Sequence, residues 1–242
     1  NIKYILANVT GPTSRYFSKN HRSFLWIDDV ILIIDDVCSH EDGTFSLLFH
    51  PDGVSRKNGI DLSVVNQQAA VDIRPLWPDY LTESDFEHDF PYNLKLKAHQ
   101  APKAKKTDEM ETYYSVTYPI KAQSVKFITA IILKDSPASK NIPQVTRLKG
   151  DDLQGVRIAK DDKITDVYLN TWADGHIMHR NSCTNVNGWD TDAYLLAFSY
   201  KKGTDPTVSK NILEWFIGYG SYVRNANESI FDSYTKKYKV IR

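Results

Sequence analysis

Short runs of apolar, β-branched residues alternate with polar breaks along the chain, a pattern typical of antiparallel strands. The clearest example begins with a strand at His21–Ile27, followed by Asp28–Asp29, a polar break of the kind that turns a hairpin. Val30–Ile34 is entirely apolar, as expected of a strand that is buried on both faces. Ser39–Gly43 predicts a second reversal and Thr44–His50 a third strand. The pattern therefore predicts a three-stranded antiparallel meander.

The same pattern continues through the rest of the chain, where turn signals recur about every 8–12 residues. Ala98–Asp108, which contains a proline and several lysines, is predicted to be a loop. Ser209–Phe216 could form a short helix instead of a strand, because its apolar residues also fall at helical spacing. Further strands are predicted at Lys3–Val9, Ile60–Val65, Ala69–Ile73, Glu111–Pro119, Ser124–Leu133, Gln144–Leu148, Gly155–Ala159, Asp166–Thr171, Ile177–Arg180, Ala193–Tyr200, Asn211–Ile217, Tyr219–Val223 and Lys237–Ile241.

No repeat or linker divides this succession of strands. We therefore expect an all-β fold, a large antiparallel β-sandwich (a supersandwich) with little or no helix, that spans residues 1–242 as one domain. The hydrophobic content of 41% and charged content of 25% are those of an ordinary soluble globular protein. The 30 basic and 30 acidic residues cancel, and no run has the length of a membrane helix. Neither nucleic acid nor a membrane is therefore expected as a partner.

Aromatic residues and cysteines refine this picture only slightly. Aromatic residues make up 12% of the chain, with 14 Tyr and 5 Trp. They favour strands and most are expected to pack in the core, whereas exposed Tyr and Trp rings form flat platforms for sugars. The two cysteines, Cys38 and Cys183, could form a disulfide or remain free thiols, and one pair is not a disulfide framework.

The ends of the predicted meander carry groups that bind metals. His21 opens the first strand, Asp35 and Asp36 close the second, and His50 closes the third. Two imidazoles and a carboxylate from adjacent strands suit a divalent metal such as zinc. A two-residue turn at Asp28–Asp29 would pair His21 with Asp36, and a three-residue turn would pair it with Asp35. The alternative is that both histidines end strands and form hydrogen bonds to the backbone.

A second concentration of polar and aromatic residues lies at Trp172–Asn181 and Asn187–Asp192. Histidine, arginine, asparagine and tryptophan interleaved on loops suit the recognition of sugar hydroxyls and carboxylates. A structural role is the alternative for these residues. The sequence contains no nucleophile elbow, phosphate-binding loop, dinucleotide fingerprint or CxxC pair. The candidate substrate-binding residues of this region are His176, His179, Arg180 and Trp189.

The order of the meander motifs resembles the β-sandwich part of the heparinase II/III-like polysaccharide lyases. The motifs are a His-Arg pair at His21, a hydrophobic hairpin that ends in Asp35, and a strand that ends in His50. Phe127–Leu133 is similar to a further strand of that family, and the resemblance extends over most of the chain. In the family these three positions form a metal site beside the sugar cleft. The resemblance therefore implies zinc, or another divalent metal, at His21, Asp35 and His50.

The resemblance implies that the function is β-elimination on an acidic, uronate-containing polysaccharide such as a glycosaminoglycan. This reaction needs a base, an acid and a group that neutralises the carboxylate. In the family, most of these groups come from an α-helical toroid that precedes the sandwich. We therefore expect the chain to be the C-terminal part of a longer protein, with that helical domain as its partner. It would contribute a cleft wall and a structural metal and would be inactive alone. The strand-like start at Asn1, without an initiator Met, is also expected of a processed protein or an excised domain.

The sequence departs from the family pattern at Lys19, which occupies the place of the first histidine of a His-x-His motif. Lys19 could neutralise a substrate carboxylate, or it could be an ordinary surface lysine at a strand edge. The departure favours the alternative of a non-catalytic carbohydrate-binding or scaffold module. An unrelated β-sandwich adhesin would bind neither metal nor sugar. The family context implies a secreted or periplasmic bacterial protein.

Overall fold

The structure, a computed structural model, describes residues 2–67, 69–78, 94–103, 106–150, 153–173 and 183–233. Of the described residues, 71% lie in strands and 4% in helices, and the sheets are antiparallel, which confirms the predicted all-β sandwich class. The chain divides into two compact units. The first is Lys3–Ile142, and the second is Asn1–Ile2 together with Pro143–Arg242. That they act as one sandwich domain stays a prediction.

The sheet of the first unit is organised around one long strand, β8, which pairs with β3 along most of one edge. Its other edge is shared by β7, on the first half of the strand, and β6, on the second half. The strand order is β1-β2-β3-β8-β6-β5-β4, with β7 beside β8. The strands are β1 Ile2–Asn8, β2 Phe17–Ile27, β3 Val30–Phe49, β4 Val54–Asn58, β5 Asp61–Asn66, β6 Ala69–Trp77, β7 Lys95–Lys103 and β8 Lys106–Lys134, and the short helix α1 is Thr10–Thr13.

The predicted hairpin between β2 and β3 is confirmed. Ile27 pairs with Val30 across a two-residue turn, and Asp28 takes a positive φ of 49°, as such turns require. Aspartate tolerates this left-handed conformation better than most residues. The two-residue turn sets the register that places His21 opposite Asp36.

The predicted reversal at Ser39–Gly43 is wrong, because β3 continues through these residues as one strand of 20 residues. Its register against β8 shifts between Cys38 and Gly43 and again before Phe45. Extra residues in one strand of an antiparallel pair form bulges, which bend the strand without reversing it. Polar residues around a glycine are therefore compatible with a bulge as well as with a turn. The predicted loop at Ala98–Asp108 is also wrong, since β7 and the start of β8 occupy most of it.

The core of the first unit lies inside this bent sheet. The Ser55 and Tyr114 hydroxyls are 2.8 Å apart, and Lys57 Nζ donates to the Leu96 carbonyl oxygen at 3.0 Å, so β4 packs beside β7 and β8. Each large apolar side chain buried here contributes roughly 1.5–3 kcal/mol of transfer free energy. The buried cluster consists of Val37, Phe45, Leu47, Ile60, Leu62, Val64, Ile73, Leu94, Leu96, Tyr114, Val116, Val125 and Phe127.

The second unit contains two smaller antiparallel sheets, in the orders β15-β14-β11-β10-β9 and β12-β13-β16-β17. The alternative helix at Ser209–Phe216 is limited to a 3-10 turn, Ser209–Asn211, which leads into a strand. The apolar cluster of this unit includes Trp189, Phe198 and Val223. The strands are β9 Gln144–Gly150, β10 Leu153–Lys160, β11 Lys163–Asn170, β12 Thr184–Val186, β13 Trp189–Thr191, β14 Leu195–Lys201, β15 Ile212–Gly218, β16 Tyr222–Arg224 and β17 Ser229–Asp232.

Several further expectations can be compared with the structure. Cys38 and Cys183 are both free thiols. No helix in the described part of the chain is long and apolar enough to cross a membrane. The strands predicted at Ile177–Arg180 and Lys237–Ile241 lie outside the described residues.

Candidate functional site

The hairpin of β2 and β3 places the predicted metal ligands on two different faces of the sheet. His21 lies opposite Asp36, and Arg22 lies opposite Asp35. Because side chains alternate along a strand, Asp35 and Asp36 point to opposite faces. Asp35 shares its face with Val37 of the apolar cluster, whereas His21, which is only 3% exposed, lies on the other face. The register therefore separates the His21 side chain from that of Asp35.

His50 is farther still from this hairpin. Since β3 does not reverse, residues 36 and 50 are separated by on the order of 40 Å of extended strand. The His50 ring stacks instead on Tyr113, with ring centroids 5.2 Å apart. No group of three His, Cys, Asp or Glu side chains in the described ranges is placed to hold a metal. The structure thus does not bring His21, Asp35 and His50 together, and a metal ion bound by these residues stays a prediction.

Lys19 lies in an ion cluster around Asp36. Its Nζ donates to Asp36 Oδ2 at 2.6 Å, and Lys126 Nζ lies 3.6 Å from the same oxygen. Lys126 pairs with Asp36 across β3 and β8, and both lysine side chains are largely buried. Two ammonium groups therefore neutralise the buried carboxylate. Lys19, which could have neutralised a substrate carboxylate or been an ordinary surface lysine, pairs with a carboxylate of its own chain.

Asp35 has a different environment. Arg22 Nε donates to Asp35 Oδ1 at 2.6 Å, whereas Oδ2 is buried and has no hydrogen-bond partner among the described residues. Burial raises the pKa of Asp35, and the hydrogen bond and charge of Arg22 oppose this effect.

The structure places Trp189 in the core of the second unit, not on a loop surface. Its side chain is 0% exposed, its Nε1 donates to the Pro206 carbonyl oxygen at 2.8 Å, and its ring packs near Phe198. The buried ring offers no free face for stacking on a sugar, and a role of Trp189 in sugar binding stays a prediction. The other predicted substrate-binding residues, His176, His179 and Arg180, lie outside the described residues.

A buried polar cluster that the sequence analysis missed surrounds Asp166. Arg157 donates to both carboxylate oxygens, at 2.7 and 2.8 Å, and the Tyr200 hydroxyl donates to Oδ2 at 2.7 Å. Asn187 Nδ2 donates to the Tyr168 hydroxyl at 2.5 Å. Burial, and next the contact with Asp166, raises the pKa of Tyr168 and Tyr200, so both hydroxyls stay protonated. The cluster is internally satisfied, which favours a structural role.

The best candidate for ligand binding is a cleft of about 440 Å³ in the first unit, formed where β3 bulges. Arg15 and Tyr16 are exposed, and the Arg15 guanidinium carbon lies 5.5 Å from the centre of the Tyr16 ring. Tyr16 is 62% exposed, so its ring is accessible. The residues that line the cleft are Arg15, Tyr16, Phe17, Ser39, His40, Glu41, Gly43, Thr44 and Phe45.

Local hydrogen bonds hold the two walls of this cleft together. The His40 backbone N–H donates to the Tyr16 carbonyl oxygen at 3.1 Å, and His40 Nε2 donates to the Ser14 carbonyl oxygen at 2.9 Å. Ser39 Oγ donates to the Gln123 carbonyl oxygen at 3.2 Å, which ties the bulge to β8. The sequence signal was an Arg-Tyr-Phe run and a His-Glu run, but their proximity depends on the bulge that was predicted to be a turn.

Comparison with known proteins gives a fold and no family. No protein-family model and no curated protein sequence matches the chain. The chain is similar to a crystal structure of heparinase III, with 9% identity and a TM-score of 0.51, over 70% of this chain and 26% of that chain. A second heparinase III structure, with methylated lysines, has 13% identity and a TM-score of 0.47, over 83% of this chain and 26% of that chain.

The chain thus spans about a quarter of the length of these structures (26% of each). At such low identity the likeness concerns the fold alone. The fold defines a heparinase-like β-sandwich domain.

Proposed function

We propose that the chain is a polysaccharide-binding β-sandwich domain, which holds an acidic polysaccharide in the cleft of Arg15, Tyr16 and His40. In this proposal it forms one wall of the substrate cleft of a longer lyase-like protein, whose helical domain supplies the reacting groups. The observation that carries the proposal is the exposed pair of Arg15 and Tyr16 at the rim of the cleft. The heparinase-like fold supports it.

The chemistry of the cleft suits an acidic sugar. The guanidinium fork of Arg15 matches a carboxylate or sulfate and can bind it through two parallel hydrogen bonds. The exposed ring of Tyr16 offers an apolar surface for a sugar ring. His40 uses one ring nitrogen for the Ser14 carbonyl oxygen and leaves Nδ1 for a ligand group. Glu41, also in the cleft lining, accepts hydrogen bonds from sugar hydroxyls.

The domain alone is proposed to bind without cleaving. β-Elimination needs a base within hydrogen-bond reach of the proton alpha to the carboxylate. His21, the histidine of the resemblance motif, is buried opposite Asp36 and is not among the residues that line the cleft. Lys19 occupies the place of a second histidine and pairs with Asp36.

Isothermal titration with heparin, hyaluronan and neutral dextran tests the proposal. We expect the protein to bind at least one of the two anionic polymers, and Arg15→Gln to weaken that binding about tenfold, which corresponds to about 1.4 kcal/mol. Tyr16→Ala should weaken it further. Arg56→Gln is the matched control, because Arg56 is an exposed arginine of the same unit that does not line the cleft. The absence of binding to both anionic polymers, or equal effects of Arg15→Gln and Arg56→Gln, would overturn the proposal.

The second candidate function is a non-catalytic carbohydrate-binding module that works without a lyase partner. The close pairing of Lys19 with Asp36 favours it, because this pair occupies the position of a catalytic-type histidine motif. The two candidate functions are separated by expressing the full reading frame and measuring the ultraviolet absorbance of unsaturated products. Product formation supports the lyase, and binding without product supports the module.

A further inference from the structure

The cleft is lined in part by Thr44, an exposed residue of β3. From Thr44, which lines the cleft, every second residue of the strand is exposed, whereas Phe45 and Leu47 between them are buried. This alternation is the normal consequence of strand geometry. It creates a continuous exposed line from the cleft to the residue that follows the strand, formed by Thr44, Ser46, Leu48 and His50.

The neighbouring strands extend this line into a surface three strands wide. Because β8 pairs with β3 on one side and with β7 on the other, residues fall into rows across the three strands. With increasing distance from the cleft, the first row carries two hydroxyls and a lysine. The second row carries an apolar side chain, a buried serine and a lysine, and the third row carries three rings. The rows are Ser46-Thr117-Lys95, Leu48-Ser115-Lys97 and His50-Tyr113-His99.

Contacts within and between the rows make this surface pre-organised. The Ser46 and Thr117 hydroxyls are 2.7 Å apart. The Tyr113 ring lies between the two imidazoles, with centroid distances of 5.2 Å to His50 and 4.8 Å to His99. His99 Nε2 is hydrogen-bonded to Ser115 Oγ at 2.8 Å. Ordering such groups in advance lowers the entropic cost of binding a ligand.

The charge of the surface indicates the kind of ligand. Lys95 and Lys97 stand in successive rows, and the Lys97 side chain is exposed. Glu111 follows one row beyond the rings, opposite Ala101, and marks the end of the cationic part. Lysines beside hydroxyls and ring edges suit a polymeric ligand that carries both hydroxyl groups and regularly spaced anionic groups.

We propose that these three rows continue the cleft, so that the ligand is an extended anionic glycan that runs along β3 from Thr44 to His50. Six residues of extended strand span about 20 Å, enough for several sugar units. This inference rests on the proposed function, because the same glycan must also enter the cleft. It adds that length, and not only acidity, is recognised.

A length series of heparin oligosaccharides tests the inference. The probes are the disaccharide, tetrasaccharide, octasaccharide and dodecasaccharide, measured by isothermal titration against the wild type and a Lys97→Gln/His50→Gln variant. Both replaced side chains are exposed, so the fold is kept. We expect the variant to bind the octasaccharide about fivefold more weakly, the equivalent of about 1 kcal/mol, and the tetrasaccharide as well as the wild type does. Arg15→Gln should weaken the binding of both the octasaccharide and the tetrasaccharide.

Lys140→Gln is the matched control for the loss of a charge. Lys140 is exposed in the same unit and lies in the loop after the last residue of β8, at the other end of that strand from Tyr113. A longer heparin chain can bind the same surface in more overlapping positions, which raises its apparent affinity. This effect is the same for Lys140→Gln, so comparison with that variant corrects for it. If the double variant binds the octasaccharide as tightly as Lys140→Gln does, the extended surface is wrong, although the cleft stands. If the wild type binds no oligosaccharide of any length, the proposed function fails and the inference fails with it.

Discussion

Lys19 and Asp36 form a close ion pair, with 2.6 Å between Nζ and Oδ2, on the face of the β2–β3 hairpin that also carries His21. The Nζ of Lys126 lies 3.6 Å from the same oxygen. The positive charge that balances this buried carboxylate therefore comes from the chain itself.

Replacement of Lys19 should destabilise the first unit. Lys19→Met removes a charge-assisted hydrogen bond to a buried carboxylate, and we expect a loss of about 2 kcal/mol in the free energy of unfolding. Lys126 remains beside Asp36, which keeps the loss below that of a fully unpaired buried charge. Urea unfolding of the wild type and the variant measures the difference. Lys126→Met is the comparison, with a smaller expected loss because its ammonium is farther away, and an equal or larger loss would contradict this account.

Chelation should have no effect on stability. His21, Asp35 and His50 do not share a site, so we expect the purified protein to hold no stoichiometric zinc and its Tm to be unchanged by EDTA. Elemental mass spectrometry and thermal unfolding, each with His21→Ala and His50→Ala variants in parallel, are the measurements. Near-stoichiometric zinc in the wild type that is lost in both variants would show that the two histidines share a metal ion.

The local pattern of the sequence was sufficient for most of the fold. Alternation and polar breaks identified the β2–β3 hairpin and the strands β10 and β11, because tight turns and strand periodicity are local properties. The length of β3 was not predictable in this way. Ser39–Gly43 has the composition of a turn, and only its pairing with β8, more than 70 residues later in the chain, makes it a bulge.

This one error explains why the candidate site was only partly predicted. The metal hypothesis required the reversal at Ser39–Gly43, and without it His50 moves to the far end of the strand. The same bulge brings His40 beside Tyr16 and forms the cleft, which no local motif predicts.

The burial of Trp189 was unpredictable for a different reason. A tryptophan beside glycine and aspartate has the composition of a sugar-binding loop, but its burial depends on contacts with distant strands.

Asp35 should make stability depend on pH in the acidic range. Burial raises its pKa above the ordinary value of 3.8, despite the opposing hydrogen bond and charge of Arg22. The folded state therefore holds this proton more tightly than the unfolded chain does. The stabilising contribution is fully present below pH 3.8 and is lost as the pH rises through the folded-state pKa.

Comparison of the wild type with Asp35→Asn isolates this effect, because the amide does not titrate. Other carboxyl groups contribute equally to both proteins if they are distant from Asp35, so the difference between the two unfolding free energies reports on this residue. We expect the variant to gain stability relative to the wild type as the pH rises above 3.8, and then to keep a constant difference. Urea unfolding over a series of pH values measures it. Parallel profiles over the whole range would show that Asp35 titrates normally.

Replacement of Trp189 should affect stability and leave glycan binding intact. Its side chain is fully buried, and truncation of a buried tryptophan to alanine costs about 3–5 kcal/mol. Trp189→Phe keeps most of the packing and loses the hydrogen bond to the Pro206 carbonyl oxygen, a cost of about 1 kcal/mol plus that of a small cavity. The phenylalanine variant is therefore folded well enough for titration with the heparin octasaccharide. Unchanged affinity would confirm a purely structural role, whereas a weakened affinity at full stability would place Trp189 in contact with the glycan and return it to the binding site.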